Sequence, residues 1–158
     1  MKAMLPSTTD NPEKYLSDPK WGMQEKMDGE RCLVDVGAHG IDFYSRTGNK
    51  IRRNILQDVK FLRPCKLDGE RIGFDYYVFD VIDNADLPAK QRCNLLTIPN
   101  HYWIDNLHIH VVPTYWTETD KIRKFDNFRW GGHVEGVVFK HMSRAYVSGQ
   151  NSHTKKYK

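Results

Sequence analysis

No apolar run in the sequence approaches the roughly 20 residues that a membrane-spanning helix needs. The opening Met1-Lys2-Ala3-Met4-Leu5-Pro6 turns polar too early for a secretory signal peptide. Cysteine is scarce: Cys32, Cys65 and Cys93 are odd in number, widely spaced, and form no Cys-x-x-Cys pair. That excludes a disulfide framework and a thiolate zinc site, and it fits a reducing, cytoplasmic setting. Repeats, low-complexity tracts and linkers are also missing, and nothing signals an oligomer, so a monomer is expected. Finally, residues 140–158 contain no carboxylate. They carry Lys140, Arg144, Lys155, Lys156 and Lys158, a net of +5, against 19 basic and 20 acidic groups (net −1) in residues 1–139. A basic end on a near-neutral body is either a solvated tail or a contact for a polyanion.

What is present suits one domain with a real core. The 158 residues are 39% hydrophobic and 12% aromatic, too apolar for a disordered chain. Asn11-Pro12-Glu13 combines an N-cap, a first-turn proline and a first-turn acid, predicting a short helix through about Leu16. Trp21–Met27, Arg31–Val36 and Ile41–Arg46 read as strands, with Asp28-Gly29 and Gly37-Ala38-His39-Gly40 as hairpin connections. Ile55, Val59 and Leu62 recur at helical spacing, and Leu67–Ile72 and Phe74–Ile82 are again strand-like. Pro88 opens a helix through Leu96, and Leu107–Tyr115 is a strand interrupted at Pro113. Thr117 caps a helix with Ile122, Phe125 and Phe128 on one face, ended by Gly131-Gly132, and Val134–Phe139 is a further strand. The expected class is α+β, largely antiparallel sheets flanked by helices.

Several short stretches can carry chemistry. Lys26-Met27-Asp28-Gly29-Glu30-Arg31 puts a lysine at a strand end, with an acid two residues on and an arginine after the turn. A lysine is a nucleophile only when deprotonated, which needs burial or neighbouring cations. Asp28 therefore serves something else, such as a metal or a hydroxyl. Leu67-Asp68-Gly69-Glu70 repeats the strand, Asp-Gly, acid pattern, which by itself reads as another hairpin. In the strand around Tyr77, residues Asp75, Tyr77 and Phe79 share a face that is either core or a platform for a base. Glu135 opens Gly136-Val137-Val138-Phe139-Lys140 and suits a hard divalent cation. Lys156 and Lys158 face the same way in an extended segment, a grip for phosphate. His101, His108 and His110 near Asp105 lack a fourth metal ligand and read as ordinary histidines, and Trp103, Trp116 and Trp130 read as core.

The order of these elements resembles the covalent nucleotidyltransferases, and among them the ATP-dependent DNA ligases. Lys26-Met27-Asp28-Gly29-Glu30-Arg31 is similar to motif I, Ser45-Arg46-Thr47-Gly48 to motif Ia, and Leu67-Asp68-Gly69-Glu70 to motif III. Tyr77-Val78-Phe79-Asp80 is similar to motif IIIa, Glu135-Gly136-Val137-Val138-Phe139-Lys140 to motif IV, and Lys156-Tyr157-Lys158 to motif V. The resemblance implies the DNA ligase and mRNA-capping nucleotidyltransferase (ATP-grasp-like) fold.

It further implies that Lys26 attacks the α-phosphorus of ATP to give lysyl–AMP. The AMP then passes to a 5′-phosphate at a nick in double-stranded DNA. Glu70 would hold the ribose, Phe79 and Val138 would flank adenine, and Gln24 would read the base edge. Glu135 and Asp28 would serve Mg²⁺ or Mn²⁺. Arg31 and Arg46 would contact the nucleotide, its phosphates or the nick, and Lys156 and Lys158 the α-phosphate. Strand parity turns Val138 and Lys140 away from Glu135 unless a bulge intervenes, which leaves Lys140 a weaker candidate. Thr154 stands where many ligases have tryptophan, two residues before the first motif V lysine. The family continues into an OB-fold domain that residues 1–158 do not supply, so an adenylation domain with weak self-adenylation is expected. The alternatives are an RNA ligase or capping guanylyltransferase core, or a nucleic-acid-binding module without catalysis.

Overall fold

A computed structural model describes residues 1–52, 56, 58–131 and 135–158, without the side chains of 129–131. The expectations for Ile55, Gly132 and Val134, and for the Trp130 side chain, lie outside the described residues.

The strands sort into two sheets that share none of them. The five-stranded sheet runs β1 (Met4–Thr8), β11 (Gly149–Tyr157), β10 (Gly136–His141), β2 (Trp21–Lys26) and β9 (Thr114–Tyr115) in spatial order. The six-stranded sheet runs β5 (Lys50–Ile51), β4 (Gly40–Tyr44), β3 (Glu30–Gly37), β6 (Cys65–Ile72), β7 (Asp75–Val81) and β8 (Ile109–Val111). Pairing is antiparallel except for β1 with β11 and β7 with β8. Helices α1 (Glu13–Leu16), α2 (Ala89–Leu96) and α3 (Glu118–Gly131) complete the described elements. None is long and apolar enough to cross a membrane.

Each sheet builds its own core by alternation. Cys32, Val34, Val36, Leu67, Tyr76, Val78 and Ile109 point to one side of the six-stranded sheet, where Leu56, Val59 and Leu96 close over them. Met23, Val137 and Phe139 of the five-stranded sheet pack against Tyr15 and Leu16 of α1 and Phe125 of α3. All three cysteines are free and buried.

Four sequence expectations change. Asp28-Gly29 closes no hairpin: β2 and β3 lie in different sheets, and the dipeptide carries the chain from one to the other. A Cβ on Gly29 would lie 2.3 Å from the Arg71 carbonyl oxygen, so the crossing needs a residue without one. Val59 and Leu62 are in loop rather than helix; Val59 plugs the core, and Leu62 is exposed just before Pro64. On α3, capped by the Thr117 hydroxyl, the buried positions are Lys121 and Phe125, while Ile122 is 41% exposed. The interruption at Pro113 is deeper than a break in one strand, because β8 and β9 belong to different sheets.

Lys121 is fully buried without an acidic partner among the described contacts. Its ammonium donates to the carbonyls of Tyr15 at 2.9 Å, Asp18 at 2.8 Å and Trp21 at 2.8 Å, tying α3 to the end of α1 and the start of β2. Lys121→Met keeps the stem but leaves three carbonyls without a donor, and should cost about 3 kcal/mol in urea unfolding. A change below about 1 kcal/mol would show that water replaces the ammonium there.

Candidate functional site

The two sheets meet across a cleft, and residues of both line it. From the five-stranded sheet come Met4, Pro6, Gln24, Lys26, Val138, Lys140 and Thr154, and from the six-stranded sheet Arg31, Asp68, Glu70 and Phe79. Cross-strand register explains the first set: Gln24 pairs with Val138, and Lys140 with Thr154, so these side chains share one face. In the second set Arg31 pairs with Glu70.

At the inner end, the Gln24 side-chain amide donates to Thr114 Oγ1 at 2.8 Å and to the Phe79 carbonyl at 3.2 Å. The protein thus uses the amide nitrogen, and Gln24 offers the cleft its oxygen. Phe79 has two cations at its ring, the Arg31 guanidinium at 4.7 Å and the Lys140 ammonium at 5.1 Å. Arg31 is committed elsewhere: it makes a two-pronged contact to Asp68 at 2.6 and 2.7 Å and donates to the Met4 carbonyl at 2.8 Å. Burial opposes its charge, but Asp68 outweighs that and holds the guanidinium protonated above its ordinary value. Burial pushes the Glu70 carboxyl up, against the pull of Arg31 and Lys26.

At the outer end, Glu135 joins two lysines. Its Oε2 accepts from Lys26 Nζ at 2.5 Å and its Oε1 from Lys158 Nζ. These contacts, Lys158 first, hold the Glu135 carboxyl below the ordinary carboxylate range. The parity conflict between Glu135 and Val138 resolves at Gly136. Glu135 precedes β10, and Gly136 lies so close to β11 that a Cβ would be 2.1 Å from the Tyr157 carbonyl oxygen. With φ at +157°, Gly136 turns the chain so that Glu135 and Val138 serve the same site.

The cleft therefore gathers Gln24, Lys26, Arg31, Glu70, Phe79 and Val138, with Glu135 and Lys158 at its mouth. It does not gather Asp28, exposed in the turn after β2, or Arg46, exposed beyond β4. Lys156 pairs with Val138 but lines a neighbouring cavity.

The sequence profile of the RNA ligase family matches residues 19–158. The chain belongs to that family. No curated protein matches the sequence of this RNA ligase family member. In fold it is similar to the ligase domain of LigD from M. tuberculosis, with a TM-score of 0.75 at 20% identity over 100% of this chain and 59% of that one. It is likewise similar to a Lig E DNA ligase, with a TM-score of 0.70 at 18% identity over 100% of this chain and 68% of that one. For a Chlorella virus DNA ligase–adenylate the TM-score is 0.66 at 18% identity, over 100% of this chain and 67% of that one. The RNA ligase family member thus spans about three fifths of the mycobacterial ligase domain. The shared fold is that of the DNA ligase nucleotidyltransferase domains.

Sequence reasoning missed Met4, Pro6, Asp68, Thr114 and Thr154 as site residues. Asp68 had a signal, since it is the motif III acid two residues before Glu70, but only the fold shows it pairing with Arg31. Met4 and Pro6 had none, because β1 reaches the site by pairing with β11, 145 residues away at Met4 and Gly149. His108 and His110 share the Asp75 carboxylate at 3.4 and 3.1 Å, and no cluster of three metal-binding side chains occurs among the described residues.

Asp68 is wholly buried and also accepts from the Tyr146 hydroxyl at 2.6 Å, whose oxygen takes the Met4 N–H at 2.8 Å. Asp68→Asn leaves the Arg31 charge without its counter-ion and should destabilise the family member by about 3–5 kcal/mol. Chemical unfolding measures this; a loss below about 1 kcal/mol would mean that solvent reaches Arg31 and replaces the carboxylate.

Proposed function

We propose that the chain is the adenylation domain of an ATP-dependent DNA ligase. The observation that carries the reading is Lys26 at the mouth of a cleft that offers a base edge (Gln24), an aromatic face (Phe79) and a half-buried acid (Glu70), with Glu135 and Lys158 in contact around it. This arrangement suits a nucleotide laid with its base inward and its α-phosphate at Lys26. The Gln24 oxygen would accept from the adenine 6-amino group, where guanine presents a carbonyl oxygen, which favours adenine. A mycobacterial DNA ligase D of the same fold has been solved in complex with ATP, which supports this ligand.

The chemistry begins with the Lys26–Glu135 contact. The amine sheds its proton, with the Glu135 carboxylate or water as acceptor, and its lone pair attacks the α-phosphorus. The nitrogen–phosphorus bond forms as the bond from the α-phosphorus to the bridging oxygen breaks, and that electron pair leaves on pyrophosphate. Lys158 then balances charge on the α-phosphate. A 5′-phosphate oxygen at a nick takes the AMP, and a 3′-hydroxyl displaces it to join the strand. Magnesium bound largely by phosphate oxygens needs only one or two carboxylates, so the absence of a three-ligand cage among the described residues is compatible with it. Glu135, with Asp28 at the exposed turn, would hold Mg²⁺ or Mn²⁺, which neutralises phosphate charge when bound.

A second reading, an RNA ligase, draws on the description of the family itself. DNA is preferred because the structural relatives are DNA ligases, one of them described as binding DNA with a minimal scaffold. The test supplies ATP or GTP with Mg²⁺ and nicked duplexes of DNA or of RNA. The reading predicts AMP transfer to the 5′-phosphate of nicked DNA from ATP only. Transfer to RNA alone, or use of GTP alone, would overturn it in favour of an RNA ligase or a guanylyltransferase.

A further inference from the structure

A cavity of about 550 Å³ lies along the outer edge of β8 and shares no lining residue with the cleft. β8 ends the six-stranded sheet, with β7 on one side and no strand on the other among the described residues. Its side chains are held. Ile109 and Val111 pack into the core of that sheet, and His110, on the other face, stacks on Tyr77 with ring centroids 4.8 Å apart. Its backbone is less occupied. The Tyr76 N–H donates to the His108 carbonyl and the Val112 N–H to the Val78 carbonyl, both at 2.8 Å, so residues 108, 110 and 112 direct their polar groups at β7. Ile109 and Val111, between them, direct theirs outward. The Ile109 N–H has a long contact of 3.5 Å to the Asn106 carbonyl. The Ile109 carbonyl and both backbone polar groups of Val111 have no partner among the described hydrogen bonds. The opposite wall comes from the segment after α2 and includes Ile98, Tyr102, Trp103 and Asp105. Ile98 is 47% exposed, Asp105 is exposed without an ion pair among the described contacts, and no lysine or arginine lines the cavity.

The geometry points to β8 as a docking edge for an extended peptide of a partner protein, apolar at alternate positions and carrying a lysine or arginine opposite Asp105. An added strand supplies the partners that the edge lacks. Val111 exchanges two hydrogen bonds with one peptide residue, and the Ile109 carbonyl accepts from the residue two further on, which is the antiparallel pattern. Alternate apolar side chains then lie against the wall of Ile98 and Trp103, and a basic side chain meets the free carboxylate of Asp105. A bare edge invites unspecific pairing, and here two features restrict it. β8 has three residues, which limits the added strand to about 10 Å, and Pro113 follows two residues after Val111. A second copy of the chain suits the groove less well, because its own edge, Ile109–Val111, brings no lysine or arginine to Asp105.

The test selects phage-displayed random heptapeptides on the whole chain, then measures the enriched peptides by calorimetry and by amide hydrogen exchange. The expected peptides alternate apolar residues and carry a lysine or arginine, and their binding slows exchange of the Val111 amide. Asp105→Asn should weaken them by about three- to fivefold. Val111→Pro removes the outward N–H and leaves the ladder to β7 intact, so it should weaken them by about tenfold. Unchanged thermal unfolding certifies the fold of each variant. Should Val111→Pro not fold, exchange of the Val111 amide in the wild-type chain decides. The proposal is overturned if no peptide is enriched, if the enriched peptides are acidic, if they bind without slowing the Val111 amide, or if Asp105→Asn binds them equally well. Self-association of the chain that by itself protects the Val111 amide would assign the edge to a second copy and overturn it too.

Discussion

The cleft lies between two sheets with no common strand, so its shape depends on polar contacts that cross from one sheet to the other. Lys140 of β10 reaches over to the Phe79 carbonyl at 2.9 Å and to Asp80 at 3.2 Å on β7. Gln24 of β2 joins the same carbonyl, and Arg31 of β3 returns the link to Met4 of β1. Arg92 of α2 locks Asp80 from behind at 2.8 Å. Burial alone would raise the Asp80 carboxyl, yet Lys140 and Arg92 together hold it below its ordinary value. A buried carboxylate with two cations is costly to break and directional, which suits a seam that must keep two surfaces at a fixed separation. Phe79 sits in this seam, so the ring that lines the cleft is held by the same contacts that join the sheets.

Contacts within the fold take up much of the charge at the basic end of the chain. Residues 140–158 are an ordered strand pair with a connecting turn rather than a solvated tail. Lys140 is spent on Asp80, Lys155 on the Ser7 hydroxyl, and Lys158 on Glu135. Only part of the +5 thus faces outward as free charge.

The site was more legible in the sequence than the fold. Lys26, Glu70, Phe79, Val138 and Gln24 stand at strand ends and alternate positions, and alternation carries them to one cleft. Asp28-Gly29 misled because two residues of turn chemistry look the same whether the chain doubles back or crosses to another sheet; only the tight approach of Gly29 to Arg71 distinguishes them. Pro113 posed the same problem between β8 and β9. β1 was invisible because its partner lies at the far end of the chain, and a five-residue strand with a proline has no pattern of its own. Parity underrated Lys140, since it assumes an unbroken strand, and Gly136 breaks it.

The central claim is that Lys26 is the nucleophile of a site preformed between the two sheets. It is tested most directly by incubating the chain with ATP and Mg²⁺ and mapping the modified residue by peptide mass spectrometry under conditions that preserve phosphoamides. The account predicts one added AMP, borne by the peptide containing Lys26 and absent from Lys26→Ala. An unmodified chain, or AMP on another residue such as Lys156 or Lys158 with Lys26 free, would contradict it.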